Sequence, residues 1–325
     1  MRWPSEIRRQ LREIGLLGIN ERNAQYTLRW NKRERYPRVD NKLLTKQLCE
    51  EAGIPTARVI GAATVQAEVR PLVERLAKET AFALKPARGA MGNGILIVRG
   101  REGDLFRRTG GSLLDEGELR FHASSIISGL YALAGNDDVA FAEECLEVHP
   151  SLREISADGV PDIRIVVYRG VPVMAMTRLP TRASRGRANL HHGAVGAGVD
   201  LATGKTNHAV HWNRVCSEHP DTAQAVTGRL LPSFDMALEI AVRATATTEL
   251  GYVGADVVVD AKRGPLILEL NARPGLAVQV ANRAGLRFRL EAVDTAQPET
   301  LTLDERLELG RELSRLHRSR TGEAG

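Results

Sequence analysis

The sequence predicts an α+β fold in which antiparallel hairpins combine with amphipathic helices. Two strand–turn–strand segments carry this prediction: DIRIVVY and VPVMAMTRL meet around residues 168–170, and GADVVVD and PLILELN flank residues 261–264. A third pair of short strands, FALKP and GILIV, is joined by a glycine-rich loop. With 325 residues, 43% of them hydrophobic, the chain can form one large or two medium domains.

The sequence predicts a helix near each of its ends. Apolar residues recur at helical spacing between positions 7 and 14, and this helix can end at Gly15 or Gly18. A tail helix has Thr302 and Glu305 at the spacing of a capping box. The other expected elements, in chain order, are a helix over 42–52, a loop-rich and helical stretch over 101–138, a strand over 139–146, a loop over 180–198 and a helix over 233–250 capped by Ser233.

The composition argues against several classes of protein. Charge is nearly balanced, with 45 basic and 40 acidic residues, and aromatic residues make up only 4%, which argues against a nucleic-acid binder that stacks bases. Three unclustered cysteines, Cys49, Cys145 and Cys216, argue against a disulfide framework and a structural zinc site, and they fit the cytoplasm. No apolar run approaches the roughly 18 residues of a membrane span.

The last predicted hairpin contains two opposed acidic residues. A symmetric turn over residues 261–264 pairs Asp260 with Pro265 and Asp256 with Glu269. Paired residues of antiparallel strands share a face, with Cβ atoms about 5 Å apart. Because directly opposed carboxylates repel each other, we expect a cation between Asp256 and Glu269.

Asn271 extends this acidic pair, because it lies two residues after Glu269 and points to the same side. Two carboxylates and an amide oxygen are hard ligands, which suit Mg²⁺ or Mn²⁺ better than zinc. Mg²⁺ leaves its remaining positions to water and phosphate, so a metal here implies a phosphate-bearing ligand. The alternative is a pair of surface acids on the solvent side of a hairpin, and a one-residue shift of register would separate them.

The segment LKPARGAMGNG predicts a phosphate-binding loop. Lys85 lies at a strand end and is followed by Gly89, Gly92 and Gly94, whose backbone N–H groups can approach phosphate oxygens closely. It is not a P-loop, because no Gly-Lys-Ser/Thr sequence is present, and the strand GILIV stands where a dinucleotide-binding fingerprint needs a helix. The alternative is an ordinary glycine-rich hairpin.

Seven segments in order resemble the ATP-grasp superfamily: DNKLLTKQLCEEAGIPTARV, FALKPARGAMGNGILIV, FAEECLE, DIRIVVY, RANLHHGAVG, GYVGADVVVD and LILELNARPG. They span residues 40–285 and are most similar to the α-L-glutamate ligase-like group, relatives of the ligase that adds glutamates to a ribosomal protein. The resemblance implies an ATP-grasp fold of two α+β subdomains with ATP bound between antiparallel sheets, and a truncated N-terminal domain. The implied divisions are a basic leader 1–39, an N-terminal subdomain with a glycine-rich lid 40–138, a C-terminal subdomain with the metal hairpin 139–290 and a helical tail 291–325.

The resemblance also implies roles for matching positions. Lys42 and Lys85 would contact the ATP phosphates, and the lid would contain Gly89, Gly92 and Gly94. The strand that reads the adenine edge would include Glu143, Glu144, Cys145 and Leu146, with Glu147 near the ribose. The metal ligands would be Asp256, Glu269 and Asn271. The residues facing the reacting groups would be Arg164, Arg187 and Asn189, and Arg273 would contact a carboxylate or phosphate.

Some of these positions have structural alternatives. Arg164 can instead pair with Asp162 or another acid. The side chain of Cys145 is expected to act as a small buried hydrophobic group without a chemical role. The adjacent histidines His191 and His192 diverge, so no metal is assigned to them.

The implied activity is that of an ATP-dependent carboxylate–amine ligase with Mg²⁺ or Mn²⁺. A substrate carboxylate would attack the γ-phosphate of ATP, and an amine would then displace phosphate from the acyl-phosphate. The carboxylate donor would be an amino acid such as glutamate, and the amine acceptor a small molecule, a peptide or a protein tail. The prediction includes no membrane partner, argues against a nucleic-acid partner and allows a homo-oligomer. A kinase and a catalytically silent ATP-binding module are the alternatives, although no kinase catalytic loop is found in the sequence.

Overall fold

A computed structural model describes residues 5–89, 92–132 and 136–321. The chain divides into two compact units. The large unit consists of Met1–Val39, Leu48–Pro55 and Glu147–Gly325, and the small unit consists of Asp40–Gln47 and Thr56–Leu146. The main chain leaves the small unit after Leu146, within the segment that the sequence analysis links to adenine recognition.

Helices and antiparallel strands occur along the whole described chain. The helices are α1 (Ser5–Glu13), α2 (Ile19–Glu21), a π-helical turn (Arg22–Thr27), α3 (Leu28–Trp30), α4 (Pro37–Asp40), α5 (Lys42–Glu51), α6 (Val69–Leu76), α7 (Glu116–Ile127), α8 (Pro150–Glu154), α9 (Phe234–Thr247), α10 (Ala277–Asn282), α11 (Arg287–Ala296) and α12 (Leu303–Thr321). The strands are β1 (Val59–Ala63), β2 (Phe82–Pro86), β3 (Leu96–Glu102), β4 (Leu105–Arg108), β5 (Leu113–Leu114), β6 (Ala140–Glu144), β7 (Asp162–Tyr168), β8 (Val171–Leu179), β9 (Val195–Val199), β10 (Thr206–His211), β11 (Arg214–Cys216), β12 (Tyr252–Asp260) and β13 (Gly264–Asn271). Within the described residues, no helix combines the length and apolar character that crossing a membrane requires.

The small unit contains a six-stranded antiparallel sheet with the order β1-β6-β2-β3-β4-β5. Side chains from the sheet and from α6 and α7, such as Phe82, Leu72 and Ile126, form one apolar core. A capping box starts α7: Glu118 N–H donates to Asp115 at 2.8 Å, and Asp115 N–H donates to Glu118 at 2.9 Å. The sequence predicts β2 and β3, whereas β4 and β5 are too short to give a periodic signal.

The large unit contains a seven-stranded antiparallel sheet with the order β11-β10-β9-β8-β7-β12-β13. Neighbouring strand residues alternate between two cores: Ile165 joins the core that includes α9, and Val166 joins the core that includes α10, α11 and N-terminal residues. The predicted loop over 180–198 is wrong at its end, because β9 begins at Val195. Every residue of its sequence VGAGV is buried, so burial on both faces replaces the alternation that marks a half-exposed strand.

Of two predicted N-terminal helix caps, one is confirmed and the other is wrong. The capping box of α12 is confirmed: Thr302 N–H donates to Glu305 at 2.8 Å, and Glu305 N–H donates to the Thr302 hydroxyl at 3.3 Å. Ser233 occupies the cap position of α9, but its φ is +51° and its side chain forms no cap hydrogen bond. The expected cap interaction at Ser233 is therefore wrong, because a capping residue normally has an extended backbone and Ser233 has a left-handed one.

The last hairpin pairs Asp256 with Glu269 as predicted, but through a different register. The turn closes with Asp260 opposite Gly264, which has a φ of +75° that favours glycine. A bulge next to Asp256 then adds one residue to β13. The predicted pairing of Asp260 with Pro265 is therefore wrong by one residue, and the bulge cancels this error at Asp256.

Asn31 joins the N-terminal residues to the end of this hairpin, where β12 begins and β13 ends. Its buried side chain donates to the carbonyl groups of Tyr252 at 2.8 Å and Ala272 at 2.9 Å, and it accepts from Tyr252 N–H at 2.9 Å. Gly251 N–H also donates to the carbonyl group of Trp30 at 3.0 Å. The basic leader is thus a packed part of the large unit that fixes the ends of both strands.

Replacing Asn31 by alanine should destabilise the protein more than removing an ordinary helix cap. The substitution leaves one N–H and two carbonyl groups without buried partners, at about 1–3 kcal/mol per group. The matched control, Asn41→Ala, removes the acceptor of Leu43 N–H (3.0 Å) at the start of α5 and should cost about 1 kcal/mol. Circular dichroism melting should show a clearly larger fall for Asn31→Ala, and equal falls would contradict the joining role of Asn31.

Candidate active site

Asp256 is the centre of a charged cluster on the sheet of the large unit. Its fully buried carboxylate accepts from Arg164 Nε and Nη2, each at 2.7 Å. It also accepts from Arg178 Nη2 at 2.7 Å, and Arg178 Nε donates to Asp162 at 2.6 Å. Strand pairing places these groups together, because Asp256 lies opposite Arg164 and Asp162 lies opposite Arg178. The alternative that the sequence left open for Arg164, an ion pair with an acid, is the arrangement found.

The two arginines keep Asp256 ionised. Burial opposes ionisation, but the charges of Arg164 and Arg178 outweigh burial and hold the pKa of Asp256 well below its usual range. For Asp162, burial is the largest effect; the charge of Asp256 adds to it, Arg178 opposes it, and together they raise the pKa of Asp162 to about 6. Asp256, which lies opposite Glu269, is therefore negatively charged at neutral pH.

Glu269 and Asn271 lie beside Asp256. The Asn271 amide nitrogen is 3.3 Å from a Glu269 carboxylate oxygen and 3.4 Å from an Asp256 carboxylate oxygen, so it contacts both acids. Asp256 is buried, whereas Glu269 and Asn271 are half-buried. The structure thus brings together the three residues that the sequence proposes as metal ligands.

The donor set fits a hard divalent cation that takes few protein ligands. The three side chains offer carboxylate and amide oxygens without sulfur or imidazole, a set that suits Mg²⁺. In the part of the chain that the structure describes, no three His, Cys, Asp or Glu side chains form a metal-binding group. Both oxygens of Asp256 already accept hydrogen bonds from arginines, so Glu269 offers the most accessible carboxylate. Asn271 would have to rotate its amide to present oxygen.

The sequence analysis missed Arg178. The turn pairs Tyr168 with Val171, and this register without interruption would place Thr177 opposite Asp162, whereas a bulge in β8 shifts the partner to Arg178. The sequence pattern that could have revealed Arg178 is a basic residue near the end of a mostly apolar strand. In the structure all nine residues of this strand are buried. A buried arginine needs an acidic partner, so Arg178 predicted a second acid on the same face.

In the small unit, Lys85 shares a buried acid with a second lysine. Lys85 Nζ contacts one carboxylate oxygen of Glu143, and Lys46 Nζ lies 2.9 Å from the other. The three side chains are at most 8% exposed. Burial opposes ionisation of Glu143, but Lys85 and Lys46 outweigh it and hold the pKa of Glu143 below its usual value. Glu143 thus acts through its side chain, in addition to the backbone role that the resemblance implies.

Lys46 is a second residue that the sequence analysis missed. It follows Lys42 by one helical turn on α5, so both lysines lie on the same side of that helix. Its ammonium group also donates to the carbonyl group of Ala57 at 2.9 Å. This spacing was visible in the sequence, but the buried acid that balances Lys46 lies almost a hundred positions further along, at Glu143.

Side chains of the small unit hold both ends of the glycine-rich loop. Lys42 Nζ donates to the carbonyl group of Gly89 at 2.6 Å, and His122 Nε2 lies 2.9 Å from the carbonyl oxygen of Gly94. Gly92 and Gly94 have φ values of +76° and +75°, which L-residues with a side chain rarely adopt. The two residues between Gly89 and Gly92 lie outside the described residues. The loop is therefore fixed at its ends by groups that include one proposed phosphate ligand.

The segment proposed to read adenine makes local contacts at the end of β6. Glu144 accepts from Arg58 N–H at 2.6 Å. The half-buried thiol of Cys145 donates to the carbonyl group of Val98 at 3.5 Å, and burial raises its pKa. The side chain of Leu146 is buried.

The structure places the remaining candidates in other local contacts. Glu147 pairs with Lys262 at 3.0 Å. Asn189 accepts from His191 N–H at 2.9 Å and so starts a short 3₁₀ turn, and Arg187 lies in the turn before it. The described contacts do not join these residues to the cluster around Asp256. Arg273 follows the last residue of β13 by two positions, and its guanidinium lies 5.1 Å from the ring centre of Tyr36.

Comparisons with known proteins give one family match and several distant structural neighbours. The family described as sugar-transfer associated ATP-grasp matches residues 21–295. The ATP-grasp ligase PsnB with a minimal precursor is 17% identical, with a TM-score of 0.42, over 83% of this chain and 64% of the PsnB chain. D-alanine–D-alanine ligase from Bacillus anthracis in complex with ATP is 14% identical, with a TM-score of 0.40, over 88% of this chain and 69% of that one. No curated protein matches the sequence.

Replacing Glu143 by glutamine should destabilise the protein at neutral pH, because Lys46 and Lys85 then lack their buried acid. Breaking a buried ion pair typically costs about 3–5 kcal/mol. The pKa of Glu143 is lowered in the folded protein, so its stabilisation is present above its usual value of 4.5 and is lost as pH falls through the lower folded value. Urea unfolding should therefore show a difference from wild type that shrinks in acid.

Glu144→Gln is the matched control for this experiment, because the neighbouring side chain is 24% exposed and pairs with Arg58, whose side chain is 57% exposed. It should change the free energy of unfolding much less than Glu143→Gln does. A loss of equal size in both variants, or a Glu143→Gln effect that stays constant down to strongly acidic pH, would contradict the assigned role of Glu143.

Proposed function

Because the chain belongs to the sugar-transfer associated ATP-grasp family, we propose that it is an ATP-dependent ligase that joins a carboxylate to an amine. The observation that carries the proposal is the acidic hairpin of the large unit. Two arginines hold Asp256 in its charged form, and Glu269 and Asn271 lie beside it with further oxygen atoms. A nucleoside triphosphate needs such a place for its divalent ion.

The phosphates of ATP are assigned to the lysines and the glycine-rich loop of the small unit. Lys85 is kept in place by Glu143, which it shares with Lys46, so two positive charges face one negative charge. Phosphate oxygens would accept hydrogen bonds from the ammonium group of Lys85. Lys42 already holds one end of the loop through Gly89, and it would move with the loop when the loop covers the phosphates.

The proposed reaction proceeds in two steps. A carboxylate oxygen of the donor attacks the γ-phosphorus, the bond to the bridging oxygen breaks, and ADP leaves with that electron pair. The amine nitrogen of the acceptor then attacks the acyl carbon, phosphate leaves, and the nitrogen loses a proton as the amide forms. Arg164 and Lys85 would stabilise the negative charge on the oxygens that react, so the chain acts mainly by placing charges.

Mg²⁺, or Mn²⁺ in its place, would be held by Glu269 and Asn271 together with Asp256. When bound, such an ion supplies positive charge at the phosphate oxygens and orients them. The residues of this chain do the remaining work: Arg164 and Arg178 fix the position of Asp256, and Asn271 connects it to Glu269.

The substrates are proposed by class. The donor is an amino acid such as glutamate, as the resemblance to the α-L-glutamate ligase-like group implies. The acceptor carries an amine and belongs to the small molecules, peptides or protein tails. Because the description of the matched family refers to sugar transfer, amino sugars are included among the small amines to be tested.

Glu269→Gln should abolish most ATP turnover without a comparable loss of stability. The substitution keeps the shape of a half-buried side chain but removes the negative charge nearest to the proposed cation, which should lower kcat by about a hundredfold or more. Glu239→Gln, on the exposed side of α9, is the control and should keep full activity. Full turnover by Glu269→Gln at saturating substrate would show that the metal assignment is wrong.

Trapping with hydroxylamine distinguishes a ligase from a kinase. An acyl-phosphate should yield a hydroxamate in amounts that match the ADP released, in mixtures that contain ATP, Mg²⁺ and the donor but no amine. A kinase would give a stable phosphorylated product and no hydroxamate, and a silent module would bind ATP without releasing ADP. Donor and acceptor pairs are first screened by phosphate release, with mass spectrometry of the products.

A further inference from the structure

Arg22 is a buried guanidinium whose charge is not balanced by an acid. The residue is 5% exposed, and its Nη1 donates to the carbonyl group of Pro274 at 2.7 Å. Its Nε has no hydrogen-bond partner, and among the described residues Arg22 forms no ion pair. It is also the first residue of the π-helical turn, a conformation that is frequent at functional sites.

Arg273 adds a second positive charge next to Arg22. It precedes Pro274, the residue that accepts the hydrogen bond from Arg22. Its side chain is exposed, lies over the ring of Tyr36 at 5.1 Å, and makes no ion pair with any described acid. Burial is the largest cause that lowers the pKa of Arg22, and the positive charge of Arg273 lowers it further.

Two other buried arginines of the large unit differ from each other. Arg178 binds Asp162 and Asp256. Arg289 resembles Arg22, because it is 6% exposed, donates to a carbonyl group and has an Nε without a hydrogen-bond partner. The nearby charge distinguishes them: Arg289 is affected by the negative charge of Asp200, and Arg22 by the positive charge of Arg273. A buried charge without compensation is unfavourable, and a second positive charge nearby makes it more so. An anion bound at Arg22 and Arg273 would supply both the missing charge and the missing acceptors.

We propose that Arg22 and Arg273 form a subsite for a carboxylate group of the substrate, with Tyr36 orienting Arg273. Planar guanidinium groups match the geometry of a carboxylate, which they can bind through two parallel hydrogen bonds. Arg273 follows Asn271 by two residues, so the subsite continues the hairpin that carries the proposed metal ligands. The substrate then carries two carboxylates: one that reacts and one that the arginines hold.

The link to a substrate rests on the proposed ligase function, whereas the anion site itself can be tested without ATP. The probe is glutarate, a dicarboxylate without an amine, added to the full-length protein in place of sodium chloride at constant ionic strength. Constant ionic strength keeps screening equal, and protection by a bound ligand raises the melting temperature by mass action. We expect a rise of about 2 °C in wild type at ten times the dissociation constant.

Arg22→Gln and Arg273→Gln should each lose most of this rise. Excluded anions stabilise many proteins in a general way, so the specific effect is the part of the wild-type rise that these variants lose. Arg289→Gln is the matched control: it removes an equally buried arginine outside the subsite and should keep the glutarate effect even if it melts at a lower temperature. Arg22→Lys keeps the charge but not the planar fork, and it should show a reduced rise.

Three outcomes would overturn the proposal. An equal glutarate effect in wild type and in Arg273→Gln would show that the anion site does not exist. If Arg273→Gln fails to fold, an equal effect in wild type and in Arg22→Lys would show the same. A rise with inorganic phosphate as large as with glutarate would assign the site to a phosphate group instead. Unchanged KM for the donor in Arg273→Gln would separate the site from the substrate, whereas a tenfold or larger increase with unchanged KM for ATP supports it.

The anion site and the ligase proposal can be contradicted separately. The melting experiments contain no nucleotide, so a negative hydroxamate result leaves the anion site standing as a site of another reaction. Conversely, hydroxamate formation together with an unchanged glutarate effect in all variants would keep the ligase and discard the subsite.

Discussion

The contact between Asp256 and its two arginines is the interaction on which the site of the large unit depends. It joins three neighbouring strands, because Asp256 comes from β12, Arg164 from β7 and Arg178 from β8. Removing one member leaves a buried charge unpaired, at a cost of several kcal/mol, so the strands keep this register or lose much of their stability. The position of Asp256 is therefore set by folding, before any cation binds. Glu269 and Asn271, which are half-buried, are the members that can adjust to a ligand.

The N-terminal residues complete this constraint from outside the hairpin. Asn31 binds the main chain at the start of β12 and just beyond the end of β13, and Arg22 binds the main chain at Pro274. The segment that follows Asn271 is thus held by groups more than two hundred positions away in the sequence. The basic leader is too short to form a domain by itself, yet it fixes the position of the last residues of the hairpin. Its buried polar side chains make the hydrogen bonds that do this.

Patterns within one strand or one hairpin were readable from the sequence, and contacts that cross elements were not. The predicted strands DIRIVVY and VPVMAMTRL coincide with β7 and β8, because their residues are apolar and β-branched enough to leave no helical alternative. Asp256 was placed opposite Glu269 only because a turn that is one residue shorter and a bulge cancel each other. Arg178 was missed through a similar bulge, and Lys46 because its acid, Glu143, lies on a distant strand. Bulges depend on packing between layers, which one strand alone does not encode.

The two charged clusters differ in composition. In the small unit, Lys46 and Lys85 share Glu143. In the large unit, Asp162, Asp256 and Glu269 outnumber Arg164 and Arg178, so the group is one negative charge in excess when all three acids are ionised. A buried charge is unfavourable unless it is balanced, so the cluster of the large unit would bind a ligand of positive charge. Glu269 is a half-buried acid of this cluster, so a cation would reach the cluster at that side chain.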